Sequence, residues 1–92
     1  MTPVQLRMAR VALDLTVRDI EARTGVNKNT VSRFEAGRDI LASALQKLER
    51  FFRDEGVIFL DADESGGVGV RLTAETKRRL SKLKSAKRTQ KS

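Results

Sequence analysis

The sequence predicts a mainly α protein: a compact body of four to five helices, a short C-terminal β-hairpin, and a basic tail that is helical or flexible. Three observations carry that expectation. Up to residue 56, helix-capping residues alternate with apolar side chains spaced three and four apart. At Val57 the apolar spacing drops toward the period of a strand. Finally, the whole formal net charge of +7 falls on residues 73–92, where eight Lys and Arg side chains face Glu75 alone, so the preceding body is neutral.

Thr2-Pro3-Val4-Gln5 opens the first helix. Thr2 can cap, Pro3 loses nothing in the first turn, and Gln5 completes a capping box. Leu6, Ala9 and Leu13 share its inner face. Thr16 caps a second helix, Asp19 suits its positive end, and Val17, Ile20 and Thr24 point inward. Gly25 breaks the chain after two turns, at a corner that Val26 plugs. Asn27 caps a third helix with Val31 and Phe34 inside and Lys28, Asn29, Ser32 and Arg33 outside, and Gly37 ends it.

Ser43 and Gln46 form the expected start of a fourth helix, with Ala44, Leu45, Leu48, Phe51 and Phe52 along one apolar stripe and Gly56 at the stop. Val57–Leu60 and Val70–Leu72 read as strands joined by the turn-rich segment 61–69. Val57 and Phe59 would face one way and Ile58 and Leu60 the other, so both faces of the first strand need cover. Thr73-Ala74-Glu75 starts a last helix with Leu80 and Leu83 inward. Residues 85–92 have almost nothing to bury and are expected to move freely without a ligand.

Absences narrow the function. With no Cys and no His, disulfides, zinc fingers and His-based catalytic triads are excluded. Gly67-Val68-Gly69 lacks the third glycine of a dinucleotide site, and Asp61, Asp63 and Glu64 lack the spacing of a calcium loop. Four Phe and no Trp or Tyr make a poor platform for stacking RNA bases. No apolar run reaches the roughly 20 residues of a membrane span. The expectation is a non-enzymatic, cytoplasmic protein with no cofactor, no metal and no membrane partner.

Residues 16–35 form a helix, a glycine corner and a second helix in twenty residues, a helix-turn-helix layout. Residues 5–56 resemble the phage-repressor and Cro-like (XRE-type) helix-turn-helix family. The matching positions are Arg10, Leu13, Leu15, Ile20, Gly25, Val26, Val31, Phe34, Glu35, Gly37 and Arg38, and the specific run is Thr24 through Arg38. The resemblance implies a phage-repressor-like fold and DNA binding. One position departs from the family pattern: Glu21 stands where a small residue usually lets the two helices touch. A carboxylate there is expected to extend its stem to solvent.

Lys28, Asn29 and Arg33 share one exposed arc, and the major groove rewards Arg or Lys on guanine and Asn on adenine. These three are the expected base readers, with Ser32 a neighbouring contact, as the resemblance also implies. The bland alternative is an ordinary solvated helix face. Phosphate contacts are expected from the amides that follow Thr16, at Val17 and Arg18, from the Arg18 side chain, and from Asn27 and Arg38. The resemblance assigns Arg10 and Glu35 to a structural ion pair, with phosphate contact by Arg10 as the alternative.

The expected organisation is a helix-turn-helix unit at 1–56, a dimerisation hairpin at 57–72 through Val57, Ile58, Phe59, Leu60, Val70 and Leu72, and a basic extension at 73–92. The expected function is a homodimeric, sequence-specific transcriptional repressor on a two-fold-symmetric operator in double-stranded DNA, located with the nucleoid and controlled by abundance or by a regulatory protein partner. Two other classes fit the same residues: an interaction adaptor, such as an antitoxin-like or antiactivator subunit, and a low-specificity DNA-packaging protein driven by the tail.

Overall fold

The computed structural model describes residues 1–91, with side chains through residue 83. The chain runs α1 (Pro3–Ala12), α2 (Val17–Thr24), α3 (Lys28–Glu35), α4 (Ala42–Asp54), β1 (Val57–Leu60), β2 (Gly69–Leu72) and α5 (Ala74–Lys91). It is the mainly helical body with a hairpin that the sequence pattern predicts. No helix among the described residues is long and apolar enough to cross a membrane.

Each of the first three helices begins at a side chain that satisfies an otherwise orphaned amide. Thr2 Oγ1 accepts from the Gln5 amide while the Gln5 side chain accepts from the Thr2 amide. Thr16 and Asp19 repeat that exchange at α2. Asn27 Oδ1 accepts from the Asn29 amide at 2.7 Å. Caps of this kind contribute about 1 kcal/mol each. The fourth helix corrects the sequence reading: it starts at Ala42 behind Leu41, with no side-chain cap, rather than at a Ser43–Gln46 box. Packing sets that start, because Ile40, Ala44 and Leu45 rest against the core and hold the first turn by its apolar side.

Leu6, Ile20, Val31, Leu48 and Phe52, drawn from the first four helices, are fully buried together. At roughly 1.5–3 kcal/mol for each such side chain, this cluster fixes how the helices lie on one another. Gly25 takes φ +79° at the end of α2, where a side chain would be strained. Its amide closes on the Glu21 carbonyl at 2.8 Å, and Val26 is buried beyond it.

The strands pair antiparallel with Val57 opposite Leu72, Ile58 opposite Arg71, Phe59 opposite Val70 and Leu60 opposite Gly69. Strand β2 thus begins one residue earlier than the sequence suggests. Val57 and Phe59 turn to the helices, whereas Ile58 and Leu60 remain 45% and 38% exposed. Gln5, almost wholly buried, donates from Nε2 to the carbonyls of Leu60 at 2.9 Å and Gly69 at 3.1 Å. A single amide therefore ties α1 to both strands at one cross-strand pair.

α5 is seated on the corner between α4 and β1. Thr76 Oγ1 donates to the Glu55 carbonyl at 2.9 Å, and a Cβ at position 56 would lie 2.0 Å from Thr76 Oγ1. Gly56, at φ +90°, is thus required both by its backbone and by the approach of α5. Leu80 packs against the core. Leu83 does not: it is 53% exposed, which corrects the expectation that it points inward. It lines an open cleft with Leu13, Leu15 and Leu80. The expected mobility of residues 85–92 falls on side chains outside the described residues.

Candidate functional site

The α2–α3 corner presents a polar helix face away from the core. At about 100° per residue, Val31 and Phe34 point inward and are buried, while Asn29, Ser32 and Arg33 stand on the opposite arc and are exposed. Lys28 sits at the edge of that arc and is half-buried. The three exposed side chains offer a bidentate amide, a hydroxyl and a forked guanidinium within five positions, a set able to match donors and acceptors on base edges. Arg33 also borders an open cleft of about 620 Å³ between α3 and α4, with Thr30, Asp39, Ile40 and Lys47.

Glu21 behaves differently from its sequence expectation. Its Oε2 accepts from the Lys28 amide at 2.8 Å instead of reaching away into solvent. The carboxylate therefore caps α3 across the corner, next to the Asn27 cap, and opposite charge at the positive end of α3 is favourable. Its separation of seven residues from Lys28 is why no local capping pattern announces the contact. The departure from the family pattern at this position was the only signal in the sequence.

Arg10 and Glu35 meet in a two-pronged pair, Nε to Oε2 at 2.8 Å and Nη2 to Oε1 at 3.0 Å, and Arg10 Nη1 also donates to the Leu15 carbonyl at 3.0 Å. The hydrogen bond to Glu35, helped by its charge and opposed by burial, holds the Arg10 guanidinium above its ordinary pKa. One side chain thus joins α1, the turn before α2 and the end of α3. Glu35 closes the pair at the last residue of the helix that carries Asn29 and Arg33.

At the start of α2 the capping box engages the amide and hydroxyl of Thr16. The amides of Val17 and Arg18 belong to the first turn, where no helical carbonyl is available to them. The Arg18 side chain is exposed, as are those of Asn27 and Arg38. Along the chain these groups lie at the start of α2, at the corner before α3 and after Gly37.

The hairpin residues divide. Val57 is buried in the chain's own core, and Phe59, Val70 and Leu72 pack against it. Arg53 covers the Phe59 ring, with its guanidinium 5.8 Å from the ring centre. Only Ile58 and Leu60 of the six present apolar surface outward.

Sequence reading missed a second charged cluster. The Glu55 carboxylate is paired both to Arg23, at the last turn of α2, and to Arg79 of α5, the latter at 3.1 Å. Arg23 in turn lies over the Phe51 ring, 5.1 Å from its centre. These residues are separated by 24 to 32 positions, so neither helical period nor motif links them.

A helix-turn-helix family model matches residues 6–53, just over half of the chain. No curated protein matches it.

Proposed function

The chain belongs to the XRE-type, Cro-like helix-turn-helix family of DNA-binding transcriptional regulators, and from that premise we propose that it is a sequence-specific homodimeric repressor of a two-fold-symmetric operator. The observation that carries this reading is the outward arc of α3, where Asn29, Ser32 and Arg33 are exposed together while Val31 and Phe34 fix the helix from behind. These three, with Lys28 at the edge, read base edges in the major groove. Arg33 suits guanine and Asn29 adenine. Thr16, Val17, Arg18, Asn27 and Arg38 hold the phosphates on either side without reading sequence. Arg10 and Glu35 keep α1 and α3 in register and touch no base.

In this proposal residues 1–56 read DNA, 57–72 join two subunits and 73–92 extend the contact. The exposed Ile58 and Leu60 supply the apolar part of the subunit junction, since a two-stranded hairpin with an uncovered apolar face is a poor solitary element. The dimer would exclude polymerase from a promoter that it covers, and its site of action is the nucleoid. Selection of bound sequences from random duplex DNA tests the proposal. A consensus with two-fold symmetry is the expected result. Tight binding without a consensus would identify a packaging protein, and no binding would favour an adaptor role.

A further inference from the structure

The last helix leaves the body in a defined direction. Its foot is locked by Thr76 on the Glu55 carbonyl and by the close approach at Gly56. One turn on, Arg79 shares the Glu55 carboxylate with Arg23, at the C-terminal end of α2. Leu80 and Leu83 line the same cleft as this cluster, together with Leu13 and Leu15, which immediately precede the start of α2 at Thr16. α5 therefore lies against both the last turn of α2 and the Leu13–Leu15 segment that precedes it. Lys77, Arg78 and Lys82 are exposed along this course.

The same geometry sets where that charge lies. Thr16, Val17 and Arg18 mark the end of α2 that faces phosphate in the reading above. α5 starts directly after β2, so at about 1.5 Å per residue it leads away from the hairpin that joins the subunits. The helix that carries this charge is thus held beside the segment leading into Thr16. The body is neutral overall, so the net charge available for long-range attraction to DNA resides in residues 73–92.

We propose that α5 is a second phosphate-binding surface, aimed by the Arg23–Glu55–Arg79 cluster along the DNA backbone just outside each half-site. It rests on the reading of the chain as an operator-binding dimer. Lys77, Arg78 and Lys82 contact the flanking phosphates, and Glu55 is a positioning residue that touches no DNA. The surface lengthens the footprint without adding sequence information, since phosphates carry none directly.

Two duplexes carrying the selected consensus test this: one ending at the consensus edges, the other extended by about ten base pairs on each side, roughly one helical turn. On the extended duplex the triple substitution Lys77→Gln, Arg78→Gln and Lys82→Gln should weaken binding about tenfold and make the salt slope shallower by about 2 to 3 per subunit. The loss should shrink to within about twofold on the trimmed duplex, with the consensus unchanged. Glu55→Gln supplies a separate readout. It makes the chain more positive, so undirected charge would tighten binding, whereas release of the aimed helix should weaken the extended duplex several-fold, with helical content preserved. Equal losses on both duplexes, or Glu55→Gln binding as tightly as the parent, would overturn the assignment of α5 while leaving the operator reading intact. Failure to select any consensus would overturn the operator reading itself, and this proposal with it.

Discussion

Glu21 shows how much a single carboxylate decides at this corner. It accepts from the first amide of α3, so Glu21→Ala removes a cap from the helix that carries the proposed base-reading side chains. The expected cost is about 0.5–2 kcal/mol in urea unfolding, with a parallel loss of operator affinity. Glu21→Gln keeps an acceptor oxygen and should recover most of both. Asn29→Ala and Arg33→Ala should each cost about 1–3 kcal/mol at one base pair per half-site and relax specificity there. Arg18→Ala should weaken every duplex alike. Titrating matched and mutated operators separates the two behaviours, and equal losses on operator and random DNA for all three variants would sink the division between readers and positioners. At this scale the sequence disclosed what is local. Thr2, Thr16 and Asn27 cap where their neighbours say they should, because the bonding amide lies two or three residues away. The partners of Glu21 and Glu55 are set by how helices cross, which no short window contains.

Among the elements, the hairpin carries the sharpest test. Phe59 faces its own core beneath Arg53, so Phe59→Asp should unfold the chain, burying a charge at a cost of several kcal/mol. Ile58 and Leu60 lie on the other face, and Ile58→Asp should leave the fold intact and give monomers in sedimentation. An Ile58→Asp protein that stays dimeric would move the junction elsewhere, with the exposed Val4, Met8 and Val11 of α1 the next surface to examine. Helices α1 to α3 and both strands were legible from capping residues, apolar spacing and the glycine at the corner. The start of α4 was not, because Leu41 offers no cap and packing alone places the first turn. α5 was legible only to Leu80: with charge on nearly every side, its apolar positions mark no continuous inner face, and Leu83 falls outside the cover that the body provides.

For the whole molecule, one small core and a proposed shared hairpin couple folding to association. If two chains fold as one unit, the melting temperature should rise with protein concentration, by about 3–6 °C per tenfold for a chain of this size. A concentration-independent transition would show that each chain is stable alone and that the junction forms only on DNA. The buried Gln5 adds a matter of timing. Its two donated bonds reach carbonyls 55 and 64 residues further along the chain. At roughly 5–20 residues per second, a ribosome needs about 3–13 s to deliver the second acceptor after Gln5 itself has been made. Throughout that interval α1 can gather its apolar partners but not close over this amide, since an unpaired polar group would have to be buried. Final sealing of the core is thereby deferred until Leu60 and Gly69 stand opposite each other. The strands cannot slip by one residue without forfeiting one of those bonds, so this one side chain acts late in synthesis as a proofreader of strand alignment.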